Sequence, residues 1–482
     1  MTHTDVELFE VTEVDSGLYL LGLVIGGLVG LTGVFKLFQL ALYHLILYLL
    51  EEQCWLCQLV SGLQNVCVAE LIPLERVDVE HAAQPLTAER QERFERDGEV
   101  GHQLQGDVQD GLHAFGVSLP YFPRFALRDV TVADTDFMVP FAVQEAVNNI
   151  NKYARFGYTY PGEEYFNSYI YWFSKRYNAS FTKEDCIFST GVVSSIDSIL
   201  KRVCETNDKV MMFTPIYNVF FNCIKNNGLI LEDCPFIYKD YRYEIDWDSF
   251  EKKIKDVKAF ILCNPHNPIG VIFKKDDIKK ISDLCLKNQV YLLSDEIHAD
   301  IDYNENHYHS SLEDVDNKYL ITLLSPGKTF NLAGLHSSII VIKDKELKEK
   351  IERGVYQDDI GEPSIFSINP VIAAYKYGED YVFQLNEYLK GNRELVKEFV
   401  SLEDNKLHLI FNEATYLLWI DISDYHIDVE EFTHTLLEKY KVAVAPGNIY
   451  GDSRFIRINI ATSRKILKTA LERMMTYLKE LN

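Results

Sequence analysis

Basic residues are in short supply in this 482-residue chain: 48 Lys and Arg stand against 72 Asp and Glu, a formal net charge of −24. Phosphate backbones are gripped by clustered Lys and Arg, so this balance excludes a nucleic-acid surface. The opening MTHTDVELFE lacks the positive stretch of a secretory signal. Nine cysteines at irregular spacings suit free thiols in a reducing compartment rather than a disulfide framework, and the expected location is the cytoplasm. Cys54 and Cys57 have CxxC spacing, but no second pair or suitably placed histidines complete a zinc site, so no metal is expected. Internal repeats and strong low-complexity tracts are absent too.

Lysine and asparagine are almost missing before residue 129, where only Lys36 and Asn65 occur, and both are frequent afterwards. Such a break in composition marks a boundary, and residues 1–128 read as an N-terminal extension of unassigned role. Within it, residues 17–35 (GLYLLGLVIGGLVGLTGVF) are uncharged and apolar, with Gly22, Gly26 and Gly30 at GxxxG spacing, and a second apolar stretch runs to Leu50. By length this is a candidate membrane span, and association with a membrane is open only through residues 17–50; an ordinary apolar helix is the alternative. Residues 75–110 are polar and acidic, as a solvated helix and linker would be.

What is present in abundance is apolar side chain, 47% of the sequence, enough for a large core in two or three domains. From about Asp185, short β-branched or aromatic runs alternate with longer amphipathic stretches. KVMMFT (209–214), AFILCN (259–264), VYLLSD (290–295), YLITLL (319–324) and SSIIVI (337–342) read as strands, and KKDDIKKISDLCLKN (274–288) reads as a helix. This order predicts an α/β fold with a mainly parallel sheet covered on both faces, in which ligands bind beyond the carboxyl ends of the strands. Asn264 and Asn267, Asp295 and Lys328 all fall there.

Lys328 alone, in SPGKTFNLAGL (325–335), would pass for an exposed loop lysine. Read in order with NPHNPIG (264–270) and SDEIHAD (294–300), it becomes part of a pattern. With FGYT (156–159), TGVVSSI (190–196), TPIY (214–217), ATYLLWID (414–421) and FIRIN (455–459), the chain from VADTDF (132–137) onward resembles the fold-type I enzymes that use pyridoxal 5'-phosphate (PLP). Within them it is similar to the cystathionine β-lyase and C–S lyase subgroup that includes the maltose-regulon modulator.

The resemblance implies an aspartate aminotransferase-like fold. Residues 129–175 would begin a small domain, 176–375 form the large PLP-binding domain, and 376–482 complete the small one. It also implies site roles. Lys328 would hold PLP as a Schiff base, Asp295 would pair with the ring nitrogen, and Asn267 would donate to the ring hydroxyl oxygen. Tyr217 would stack on the ring, with a buried core tyrosine as the alternative. Gly191, Val192 and Val193 open a predicted helix whose N–H groups suit a phosphate, and Ser325 would add a hydroxyl. His298 stands where related aminotransferases have a tyrosine, with a satisfied structural histidine equally open. Tyr158 would reach the phosphate of a neighbouring subunit, implying a homodimer with shared sites. Arg457 would grip the substrate α-carboxylate, with Ala133 and Asp134 near the substrate.

The activity implied is β-elimination from a sulfur-bearing amino acid, a small-molecule substrate. Transamination on the same scaffold is one alternative, and His336, where classical aminotransferases carry arginine, disfavours it. A regulatory protein that binds a transcription activator and retains PLP is another. The departure from the pattern is at the start: LRDVTVAD (127–134) follows an unrelated stretch where members of the family have a PMWVAD-like motif after their own N-terminal arm.

Overall fold

The computed structural model describes residues 128–129, 133–303, 308–313, 315–403 and 405–481. All fall in the unit Glu92–Asn482. The apolar run at 17–50, the CxxC pair and the polar stretch at 75–110 lie outside the described residues, as do Val130 to Val132 of the leading motif. Among the described residues no helix is long and apolar enough to cross a membrane.

Seven of the described strands form one sheet: β1 (Cys186–Ser189), β2 (Lys209–Thr214), β3 (Ile230–Pro235), β4 (Ala259–Cys263), β5 (Tyr291–Asp295), β6 (Leu320–Leu324) and β7 (Ser338–Val341). Their spatial order is β1-β7-β6-β5-β4-β2-β3. The block from β6 to β3 is parallel, and β7 runs antiparallel to both β6 and β1. Strand β1 therefore points the same way as the parallel block, and its carboxyl end lies on the same edge.

Alternation of side chains builds two cores from one sheet. Val210, Met212, Ile261, Leu293, Ile321 and Ile340 pack on one face with Ile196, Ile199 and Leu200 of helix α2. Met211, Phe213, Phe260, Leu262, Leu292 and Ile339 pack on the other with Tyr169, Trp172 and Phe173 of helix α1. Helix α1 is Glu163–Tyr177 and α2 is Val192–Val203. Because both faces are covered, the strands read as continuous apolar runs.

The helix expected at 274–288 is α3, Lys275–Asn288, and buries Ile278, Ile281, Ser282 and Cys285, the i, i+3, i+4, i+7 stripe of an amphipathic helix. It stops at Gln289, whose φ of 59° is left-handed and whose N–H caps the last turn. Several expected strands are a residue longer than those observed. Val290 donates to the Cys285 carbonyl at the end of α3 instead of joining the ladder, and Asn264 sits before a proline, which has no N–H to continue pairing. Two strands were not among those expected: β1 (CIFS), only four residues long though buried throughout, and β3 (ILEDCP) at the opposite edge, where Asp233 is exposed and Glu232 partly so, the pattern that protects an edge.

A second sheet takes the order β8-β9-β11-β10, from β8 (His408–Leu409), β9 (Leu417–Asp421), β10 (Ala445–Pro446) and β11 (Phe455–Asn459). Its two long strands are buried throughout. Arg128 and Asp129 pair in parallel with Val442 and Ala443 beside it.

Candidate functional site

The carboxyl ends of β1, β2, β4, β5 and β6 deliver their loops to one cleft of about 660 Å3. Lys328, Asp295, Asn267 and His298 line it, with Tyr217 and Ser325. Gly191, Val192, Val193 and Ala133 complete the expected set on its wall. Arg457 borders the cleft through Asn267, and Asp134 lies beside Lys328. Tyr158 is elsewhere: it is 91% exposed and is not among the residues that line the cleft.

Lys328 leaves β6 through a tight loop in which Gly327 N–H donates to Ser325 Oγ at 3.2 Å and Phe330 N–H to the Pro326 carbonyl at 3.0 Å. A β-carbon on Gly327 would stand 3.2 Å from Ser325 Oγ, a tight approach. The Lys328 ammonium donates to the Ala133 carbonyl at 2.5 Å and lies 3.9 Å from Asp134. Burial pulls its pKa below the usual lysine value; Asp134 opposes this, Arg457 adds to it, and Asp295 opposes it. A lysine destabilised as a cation is prepared to act as a nucleophile or base.

Asp295 ends β5, and burial pushes its carboxyl up to about 7. The Ile297 N–H bond at 3.1 Å opposes the shift, the neighbouring Glu296 charge adds to it, and Lys328 opposes it. The residues after Asp295 form a turn rather than a helix, so it does not cap a helix. A buried carboxyl facing a cleft with so little protein support suits a cationic ring nitrogen, whose charge would restore its ionised form.

His298 is 2% exposed, and its Nδ1 finds no hydrogen-bond partner among the described residues. Burial first, then the positive charges of Lys328 and Arg457, push its pKa down to about 3, so the ring is neutral. Asn267 accepts from Arg457 Nη1 at 3.0 Å through Oδ1, which leaves its amide N–H groups for another acceptor. Nearby, Gly270 has φ 67°, and a β-carbon there would overlap Asn412 Nδ2 at 1.7 Å, so the last position of NPHNPIG needs glycine.

Arg457 is buried on β11 and lies 4.5 Å from the centre of the Tyr450 ring, a cation–π contact. Burial lowers its pKa, and the Tyr450, Tyr217 and Tyr416 hydroxyls oppose that shift. Tyr217 is half-buried and meets Phe220 edge-on at 5.4 Å, which leaves a ring face for the cleft. Gly191 precedes α2, so the backbone N–H groups of its first turn face the cleft wall formed by Val192, Val193 and Ser194. Ser325 is less available than its position suggests, because its hydroxyl donates to the Ser337 carbonyl at 2.9 Å.

Some contributors escaped the sequence. Tyr416 OH donates to the same Ala133 carbonyl at 2.9 Å across 283 residues of chain, and Asn459 Nδ2 donates to the Asp134 carbonyl at 2.7 Å across 325. Together they hold the Ala133–Asp134 segment against the cleft. The only local signal was their place in ATYLLWID and FIRIN.

The sequence model of the family described as "Aminotransferase class I and II" matches residues 129–474. The chain belongs to this family. The cystathionine beta-lyase PatB of Bacillus subtilis is 34% identical over 349 residues, covering 71% of this chain and 90% of PatB. Protein MalY of Escherichia coli is 26% identical over 354 residues, covering 72% of this chain and 90% of MalY. The solved PLP-bound C-S lyase of Staphylococcus hominis superposes with a TM-score of 0.69 at 30% identity, covering 73% of this chain and 92% of that one. The aminotransferase class I and II match thus begins where composition changes, and the α/β fold is that of aspartate aminotransferase-like PLP enzymes.

Proposed function

We propose that the protein is a PLP-dependent carbon–sulfur β-lyase that cleaves L-cystathionine or related S-substituted cysteines, with water, to a thiol, pyruvate and ammonia. The observation that carries this reading is the meeting of Lys328, Asp295, Asn267 and His298 in one cleft, in a chain 34% identical to a cystathionine beta-lyase. When bound, PLP supplies an electron-accepting ring that stabilises negative charge at the substrate Cα. Lys328 would hold it through its amine, Asp295 would face its ring nitrogen, and an Asn267 amide N–H would point to its ring oxygen, with His298 beside it. Tyr217 would cover a ring face, and the N–H groups from Gly191 to Val193 would take the phosphate, with Ser325 turning from Ser337 to join them.

Arg457 would bind the substrate α-carboxylate through guanidinium N–H groups, and its contact with Asn267 links substrate and cofactor positions. Ala133 and Asp134 would bound the substrate on the other side. Once substrate takes the place of its amine, Lys328 Nζ, with its lowered pKa, would remove the Cα proton. The thiolate then leaves from Cβ.

The assembly we propose is a homodimer in which Tyr158 reaches the partner's phosphate site. Its support is exposure: Tyr153, Phe156, Tyr158 and Tyr160 are 77%, 60%, 91% and 78% exposed, more aromatic surface in one short segment than a monomer ordinarily shows. We also propose the cytoplasm as the compartment, and a small domain of residues 129–175 and 376–482 around a large one of 176–375.

The test is an absorbance spectrum of the purified protein and of Lys328→Ala, with pyruvate assayed after L-cystathionine is added. A visible band lost in Lys328→Ala, with pyruvate from the parent alone, is the expected result. A Lys328-dependent band without pyruvate would replace the lyase with an aminotransferase or a regulatory protein, and no band would overturn the cofactor assignment.

A further inference from the structure

Behind the cleft, Asp300 is 3% exposed and gathers an unusual number of donors. Its Oδ1 accepts from Trp172 Nε1 at 2.9 Å and from Tyr177 OH at 2.5 Å, with Arg176 Nε at 3.3 Å. Its Oδ2 accepts from the Thr329 hydroxyl at 2.8 Å. The backbone carbonyl of the same residue takes Asn386 Nδ2 at 2.8 Å, from the helix Glu379–Val400. Trp172, Arg176 and Tyr177 all belong to α1, a helix packed into the core along most of its length.

Thr329 is the residue after Lys328 and is 1% exposed. The two neighbours point opposite ways, the lysine into the cleft and the threonine into the rear wall. A lysine side chain has several rotatable bonds, so the reach of its amine depends on where its Cα is held. Fixing the next side chain to a buried carboxylate restrains that Cα.

We infer that Asp300 is a positioning residue for the reaction, acting through Thr329 to set the height and direction of Lys328 in the cleft. This rests on the PLP reading above. The carboxylate is ballasted by Arg176, whose guanidinium also lies 4.8 Å from the Trp172 ring, so the clamp is anchored to a rigid helix rather than to a loop. Displacing a reacting group by about 1 Å is enough to cost on the order of a hundredfold in rate.

The experiment uses the full-length holoenzyme and compares Thr329→Val, which keeps the shape and loses the hydroxyl, with Thr329→Ser, which retains it; Asp300→Asn is added as a third variant. Two readouts are taken: kcat and KM for L-cystathionine, and the visible circular dichroism of the Lys328-dependent band, which reports how the bound group is oriented. For Thr329→Val we expect kcat to fall at least about tenfold with KM held within about twofold, and the dichroic band to change in amplitude. Thr329→Ser should restore both. A Thr329→Val protein with parental dichroism and kcat would overturn the inference, whatever its melting temperature and whether or not Asp300→Asn folds. The two readings fail separately: a parent lacking the Lys328-dependent band sinks the cofactor assignment and this inference with it. A parent with the band and a parental Thr329→Val sinks only the clamp.

Discussion

Asp295 and Asp300 lie on one segment and are buried almost equally, at 4% and 3% exposure, yet their surroundings are opposite. Asp300 is saturated by side-chain donors from α1 and the Lys328 loop. Asp295 takes the Ile297 N–H and otherwise faces the cleft. The contrast extends to their neighbours. Glu296 turns to the rear, where it accepts from Tyr308, Ser310, Ser294 and the Ser311 N–H, whereas His298 faces the front with Nδ1 unpartnered among the described residues. Most buried polar groups are satisfied within the protein, and one left short against a cleft can be completed by a ligand. The rear wall is closed by internal hydrogen bonds, and the front wall presents Asp295 and His298 to the cleft.

The sharpest way to break this comparison is to remove charge from the front wall. Asp295→Asn should lower kcat about a hundred- to a thousandfold, the scale of losing a preorganised electrostatic partner, while leaving the fold intact. Steady-state kinetics would decide it, and a loss under about fivefold would put Asp295 outside the chemistry. The same variant tests the burial penalty. In the cofactor-free protein the Asp295 carboxyl is raised from 3.8 to about 7. The native state therefore holds a proton that the unfolded chain releases, so stability tied to Asp295 is intact below about pH 4 and is lost as pH rises to about 7. Melting curves of cofactor-free parent and Asp295→Asn should diverge across that window by a few kcal/mol, in favour of the variant, and run level above it. Parallel curves would mean that the carboxylate is better solvated than its burial implies.

Arg457→Lys is expected next in size. Lysine keeps the charge but cannot reproduce a paired guanidinium contact, so kcat/KM for L-cystathionine should fall roughly thirtyfold, about 2 kcal/mol, mostly through KM. A loss confined to kcat would instead assign Arg457 to the cofactor side through Asn267. The smallest effect on turnover belongs to the rear wall: Glu296→Gln should keep kcat within a few-fold of the parent while costing about 1–3 kcal/mol of stability, read by urea unfolding, because its donors lose a charged acceptor. If instead turnover collapsed and stability held, the division into front and rear would be wrong.

Much of this molecule was legible in the chain. Five of the seven strands of the large sheet were visible because a sheet covered on both faces must be apolar along its whole length, as in AFILC, where every side chain is buried. Asn267, Asp295 and Lys328 could be placed beyond strand ends for the same reason. Of the two edge strands, β1 escaped because four residues are too short a run to show a period, and β3 because its polar residues serve to stop pairing; Tyr158 could be assigned a role only by family likeness, since it is not among the described residues that line the cleft.

By itself, then, the sequence determined the alternation of strands and helices, the family, and which residues arrive at the carboxyl edge of the sheet, since these follow from local periodicity and contiguous motifs. Only the tertiary structure decided which polar groups are spent and which are left over. Ser325 is committed to Ser337, Asn267 is oriented by Arg457, Ala133 is held by Tyr416, and Thr329 is tied to Asp300. The last three of these are contacts between segments far apart in the chain. Whether a buried donor or acceptor is satisfied depends on what folding brings within about 3 Å of it, and no local pattern of residues encodes that.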